Sequence, residues 1–397
     1  MEKKEEFIRV GTTLYKIVDQ PRIDGGYVRK RIAWNSETLR QDYGKDYMAS
    51  VPKYDGFCTV PDHVDYKPVV GKFLNLYEPI SHRPQEGDFP CIRSLGEHIF
   101  GEQYELGMDY LQLLYLYPIQ KLPILLLVSE ERNTGKSTFL NFLKAIFQNN
   151  VTFNTNEDFR SQFNSDWAGK LLIMVDEVLL NRREDSERLK NLSTTLSYKV
   201  EAKGKDRDEI GFFAKFVLCS NNEHLPVIID VGETRYWVRK IVPLQSDDTD
   251  FLQKLKTEIP AFLHFLQHRR LSTGKESRMW FNPKLLETDA LRKIIRSNRN
   301  RLEIEMAELL LDIMASMDVE SVSFCLNDII PLLVCSQVKV EKSQVRKVVQ
   351  ECWKLTPASN SLSYTTYQCD YSRECGYSPV KRIGRYYTAS KAQLETF

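Results

Sequence analysis

The chain has 397 residues, of which 42% are hydrophobic and 27% charged, with 55 Lys and Arg against 54 Asp and Glu. That length and apolar content support two or three domains with real cores and exclude a disordered, low-complexity chain. A formal charge of +1 excludes a uniformly basic nucleic-acid coat, so any DNA contact must come from local basic clusters.

The start, "MEKKEEF", is charged and has no apolar h-region, and the most apolar run, near Leu113 to Val128, is broken by Pro118, Lys121 and Pro123. Neither secretion nor a membrane span is expected. The eight cysteines include no CxxC unit and read as reduced thiols of a cytoplasmic protein. Residues 1–75 mix short β-like runs with turn signals such as "DGGY" and "KYDGF" and suggest no particular chemistry.

From about Gly96 to Tyr115 the apolar spacing suits helices, within a helical segment assigned to 76–120. These give way at Pro118 and Pro123 to a buried strand, "ILLLV", which opens a core assigned to 121–245. The stretch "SEERNTGKST" follows, and then an amphipathic helix, "STFLNFLKAIF". A phosphate-binding loop needs this strand–loop–helix order. Its backbone N–H groups cradle phosphate, its lysine reaches the β and γ oxygens, and the next hydroxyl binds Mg²⁺. Asn133, Thr134, Gly135, Lys136, Ser137 and Thr138 supply those parts, with ATP as the expected ligand, although Ser129 stands where the motif has its first glycine.

Two further near-continuous apolar runs, "KLLIMVDE" (170–177) and "KFVLCSNN" (215–222), look like strands of a covered parallel sheet. At the end of the first, Asp176 is placed to hold Mg²⁺ together with Ser137, and Glu177 to polarise an attacking water. At the end of the second, Asn221 is preferred over Asn222 as the amide that orients water against the γ-phosphate. Downstream, "GETRYWVRKI" offers Arg235, or else Arg239, as an arginine acting across a subunit boundary. Between the second and third strands, "SYKVEAKGKDRDEIGFF" reads as a hairpin with Lys203 and Lys205 at its tip.

After about Ser246 a helical and basic connector (246–300) includes "RRLSTGKESRMWFNPKLLETDALRKIIRSNRNR", with Trp280 and Phe281 among its cations, a composition that suits a DNA backbone. His264 and His268, four apart, lack the Glu of a zinc motif and read as surface or packing residues. The last region, 301–397, reads as three helices followed by β-prone runs, the pattern of a winged helix. Gln344, Arg346 and Lys347 would be exposed on its third helix, and Lys381, Arg382 and Arg385 on the wing.

The order "NTGKST", "LLIMVDE", "EAKGKD", "FVLCSNN", "ETRYWV", with the helical approach before it, resembles superfamily 3 helicases, specifically the helicase part of phage and plasmid primase-helicases of the poxvirus type. The resemblance spans about 74–301. It implies an α/β fold: an AAA+-like P-loop core with a parallel sheet, a preceding helical segment and a winged-helix-like α+β domain after it. It further implies a homo-hexameric ring hydrolysing Mg·ATP, with the hairpin lysines gripping single-stranded DNA in the pore. A primase or another replication protein would be the partner, in a bacterial host's cytoplasm. The N-terminal region shows no acidic polymerase-type motif, so no primer synthesis is expected. A nucleotide-binding scaffold that recruits partners without unwinding is the competing expectation.

Overall fold

The computed structural model describes residues 5–21, 26–160, 167–180, 182–200, 208–230, 232–244, 248–298, 301–335, 340–370 and 376–395. The chain forms two compact units, one of 1–228 with 233–292 and one of 229–232 with 293–397. Among the described residues no helix is long and apolar enough to cross a membrane.

The first unit begins with strands β1 (Glu6–Val10), β2 (Thr13–Pro21) and β3 (Tyr27–Trp34), helices α1 (Ser36–Tyr43) and α2 (Tyr47–Ser50), and β4 (Lys53–Tyr54). The strands order as β3-β2-β1-β4, and Phe7, Leu14, Leu39 and Val51 fill a small core beneath them. Three short strands follow, β5 (Gly56–Cys58), β6 (Val69–Val70) and β7 (Phe73–Asn75). The next segment is clamped onto the end of a core helix. Glu78 and Ser81 donate backbone N–H groups to Asn150 and Gln148, and His82 meets the Ala145 carbonyl at 2.8 Å.

Helices α3 (Pro90–Phe100) and α4 (Tyr104–Leu116) are separated at Gly101, whose φ of 49° ends the first helix in a conformation that glycine adopts without strain. Then come β8 (Ile124–Val128), α5 (Lys136–Phe147), β9 (Val151–Phe153), β10 (Leu172–Val175), α6 (Arg183–Thr194), β11 (Ser197–Val200), β12 (Asp208–Gly211), β13 (Lys215–Ser220), β14 (Tyr236–Lys240), α7 (Phe251–His268) and α8 (Asp289–Ser297). Five of these strands make a parallel sheet ordered β14-β8-β13-β10-β9. Every residue of β8, β10 and β13 is buried, as helices on both faces require. The edge strand β9, three residues of no distinctive pattern, is not readable from sequence.

A shared strand direction brings every carboxyl end to one edge, where β8, β13 and β14 finish in register at Val128, Ser220 and Lys240. Ligands of open α/β sheets bind at such an edge. The helical layer is fixed by buried charge. Asp109 on α4 accepts from Arg269 at 2.7 Å and from the Ser272 and Thr273 hydroxyls, while Glu258 on α7 caps the Cys91 and Ile92 N–H groups of α3.

The second unit contains α9 (Arg301–Met317), β15 (Ser321–Phe324), α10 (Leu326–Cys335), α11 (Lys342–Lys347), β16 (Leu362–Cys369), β17 (Tyr377–Gly384), β18 (Tyr387–Ser390) and α12 (Lys391–Glu395). β16 pairs with β17 and β15 with β18, both antiparallel. The expected continuous third helix is instead six residues of α-helix followed by a π-helical turn, Val348–Cys352. That turn, closed by the Trp353 N–H on the Val348 carbonyl, buries Val348, Val349 and Trp353 together.

Candidate nucleotide site

β8 ends at Val128, and the chain turns at Ser129, which is buried at 1% exposure and donates its N–H to the Ser220 carbonyl. Its hydroxyl accepts from Glu131 N–H at 3.1 Å and donates to the Glu131 carbonyl at 3.2 Å. Left-handed backbone occurs further on, at Asn133 (φ 52°) and Gly135 (φ 79°), and not at Ser129. The position therefore does not require a glycine, and the serine braces the loop from within.

α5 starts at Lys136, whose side chain is 6% exposed and donates to Thr134 Oγ1 at 3.0 Å. Burial lowers its pKa, and the nearby carboxylates, Asp176 among them, oppose that shift. The adjacent Ser137 Oγ donates to Asp176 Oδ2 at 2.7 Å. Glu177 lies beside this pair in a left-handed conformation, φ 63°, which costs a carboxylate residue strain. Two amides hold it: Asn221 Nδ2 donates to Glu177 Oε1 at 3.3 Å, and Asn156 Nδ2 to its carbonyl at 3.1 Å. Asn222 is engaged elsewhere, its Oδ1 accepting from His224 and Leu225 N–H in a turn.

Sequence reasoning missed four neighbours. Asn156, after the unreadable β9, had no visible context. Glu223, 3% exposed, accepts the loop N–H of Glu130 at 3.3 Å and pairs with Lys240 at 3.1 Å. Its place after two asparagines was the available signal; Lys240 had none. His98 on α3 meets the Thr134 carbonyl at 3.0 Å. A cavity of about 620 Å³ adjoins the loop, bounded by His98, Asn133, Thr138, Leu244, Phe251 and Leu252.

This set suits Mg²⁺ and a nucleotide phosphate. Ser137 and Asp176 present hard oxygen donors, and Lys136 has no carboxylate at salt-bridge distance among the described residues. A buried ammonium whose side-chain partner is a hydroxyl suits an anion.

Other expected residues lie elsewhere. Arg235 is at the amino edge of the sheet, before β14, away from its own chain's loop; it pairs with Glu233 at 2.7 Å. Arg239 is buried and bound to Glu102 at 2.5 Å and to Gln103, an internal support. Lys203 and Lys205 lie outside the described residues, between the paired strands β11 and β12. In the second unit Gln344, Arg346, Lys347 and Lys381 are exposed, whereas Arg382 is committed to the buried Asp328 and Arg385 to the Ala358 carbonyl. His264 and His268 pack against each other with their rings tilted by 34°, and no metal-ligand cluster occurs among the described residues.

A family of unknown function, DUF5906, matches residues 127–236. No curated protein matches the chain. The apo structure of the NrS-1 C-terminal region (305–718) is similar at TM-score 0.65 and 18% identity, over 96% of this chain and 95% of that one. The A-form apo structure of the same region is similar at TM-score 0.63 and 17% identity, over the same shares. At such identities the likeness is one of fold, a mixed α/β architecture with a parallel sheet that extends over nearly the whole of both chains.

Proposed function

We propose that this protein is an ATP-dependent replicative DNA helicase of a phage or mobile element, working as a ring on single-stranded DNA in a bacterial host's cytoplasm. The carrying observation is the 2.7 Å contact of Ser137 with Asp176, beside the Asn221–Glu177 pair, at the carboxyl edge of the sheet. A hydroxyl and a carboxylate held together next to a buried lysine that has no carboxylate at salt-bridge distance among the described residues suit Mg·ATP better than they suit a purely structural role.

Bound Mg·ATP supplies the transferable γ-phosphoryl group and a metal charge against its oxygens. The loop N–H groups around Gly135 and the Lys136 ammonium would neutralise phosphate, and Ser137 and Asp176 would hold the metal. Glu177 would accept the proton of the attacking water; Asn221 holds its carboxylate and Asn156 its backbone carbonyl. Arg235, away from its own loop, serves the neighbouring subunit of a homo-hexamer, which makes hydrolysis depend on assembly. The hairpin lysines, Lys203 and Lys205, take the DNA backbone. The second unit acts as a winged helix toward duplex DNA, a primase or another replication protein.

The test is separation of a labelled forked duplex by the full chain with Mg·ATP. Wild type separates strands, Lys136→Ala does not, and Lys203→Ala with Lys205→Ala loses separation while retaining ATP hydrolysis. Hydrolysis with no separation by wild type would replace the motor with a nucleotide-driven scaffold.

A further inference from the structure

We propose that a cleft at the amino edge of the sheet is a second contact for single-stranded DNA, with a base against Tyr117 and Trp280 and flanking phosphates on Lys275 and Arg278. The inference rests on the helicase reading and deepens it by adding a site remote from the phosphate loop. The cleft measures about 710 Å³, and its wall includes Tyr117, Ile119, Leu196, Lys275, Arg278 and Trp280.

Its surface is unusually apolar for exposed structure. Tyr117 is 53% exposed, Ile119 64% and Leu196 79%. The Tyr117 and Trp280 rings lie within 19° of parallel, their centroids 6.5 Å apart. Trp280 is held there at a backbone cost, since its φ of 76° is left-handed, a conformation that bulky residues seldom adopt. A tight loop imposes it: Trp280 N–H donates to the Ser277 carbonyl, its own carbonyl accepts from Glu276 and Ser277 N–H, and its indole N–H reaches Thr273 Oγ1 at 3.2 Å. The same loop presents Lys275 and Arg278 to solvent, and neither has a carboxylate at salt-bridge distance among the described residues.

The charge selects an anion. Lys121, buried in the cleft lining, is held on the Phe212 carbonyl at 2.6 Å, which leaves Lys275 and Arg278 to face one lining carboxylate, Asp62. Asp62 is already occupied, accepting from Val64 and Asp65 N–H. An aromatic shelf edged by uncompensated cations matches an unstacked base with its phosphates, whereas duplex DNA keeps its bases inside. An apolar protein segment would leave Lys275 and Arg278 uncompensated. The cleft also adjoins the root of the β11–β12 hairpin, where Phe212 N–H pairs with the Leu196 carbonyl.

The experiment is fluorescence anisotropy of a labelled oligo(dT) with the full chain, across a salt series. Two variants change only exposed side chains: Lys275→Ala with Arg278→Ala, and Tyr117→Ala. Each is first required to melt as wild type does. The double variant should bind about tenfold more weakly at low salt, its log–log salt slope shallower by about 1.4, at roughly 0.7 per phosphate on a single strand. Tyr117→Ala should lose about tenfold with the slope unchanged, as a stacking contact does. Wild-type binding in both variants, with loss only in the Lys203→Ala, Lys205→Ala protein, overturns the cleft and leaves the motor standing. Oligonucleotide affinity unchanged while dTMP binding is lost makes it a mononucleotide site and also overturns the proposal. Wild type that neither binds oligo(dT) nor hydrolyses ATP removes the helicase reading itself.

Discussion

At the carboxyl edge of the parallel sheet, Ser137 meets Asp176 at 2.7 Å and Asn221 meets Glu177 at 3.3 Å, and both carboxylates keep oxygen atoms in reserve. At the amino edge, Lys215 is wholly buried on the Pro118 carbonyl, Lys121 on that of Phe212, and Arg235 is locked to Glu233. Burial pulls the Lys121 pKa down to about 8 and that of Lys215 well below the ordinary range. The same sheet thus has an edge whose polar groups are satisfied mainly by each other, open to exchange for a ligand, and an edge whose buried cations, Lys121, Lys215 and Arg235, are consumed by the frame, with only the exposed Lys275 and Arg278 left over. Lys136 follows the first pattern although it is buried, because no carboxylate claims it.

Arg235 is where this contrast is most exposed to failure, since a frame residue is asked to do chemistry next door. Arg235→Ala should lower kcat of the assembled protein about 10³-fold and leave ATP binding intact. Mixing it with Lys136→Ala subunits should restore activity, because a Lys136→Ala subunit still offers its arginine to its neighbour's intact loop. If the mixtures are no more active than either variant alone, Arg235 belongs to the frame only.

His63 sharpens the amino-edge half of the contrast. It stacks on Tyr115, bonds Tyr77 at 3.0 Å, and is held by burial at a pKa of about 4, with Lys215 adding to the shift. Its folded pKa is below its unfolded one, near 6.5, so between these values the unfolded chain holds more protons. Its contribution is therefore complete above pH 6.5 and lost as pH falls toward 4, by at most about 3 kcal/mol. Chemical denaturation of wild type and His63→Gln across that window should show the acid loss flattened in the variant; parallel curves would refute the assignment.

The smallest effect expected is at Ser129. Ser129→Gly restores the usual motif but deletes both hydroxyl contacts to Glu131, so ATP affinity should fall by about fivefold, near 1 kcal/mol, on titration calorimetry. Tighter binding would mean that the glycine is missed after all.

What was legible in the sequence shares one property: it is contiguous. The strand, loop and helix around Lys136 and the acidic pair closing "LLIMVDE" each announce themselves at the end of an apolar run, because a buried strand must be apolar and its polar exit must be the site. Asn156, Glu223, Lys240 and His98 reach the same edge from separate elements, and no local pattern encodes that meeting. The docking of 78–82 onto the end of α5 was invisible for the same reason, since Glu78 and Ser81 meet Asn150 and Gln148 through backbone groups. The π-helical turn at Val348–Cys352, which accompanies the burial of Trp353, has no local signal in an otherwise helical pattern.

The central claim, that the carboxyl edge is a working Mg·ATP site, is tested most directly by steady-state ATP hydrolysis of the purified chain, with and without single-stranded DNA, beside Lys136→Ala. The account predicts a Mg²⁺-dependent rate that DNA raises and that Lys136→Ala abolishes. A rate unchanged by Lys136→Ala, or no hydrolysis by wild type under any of these conditions, would contradict it.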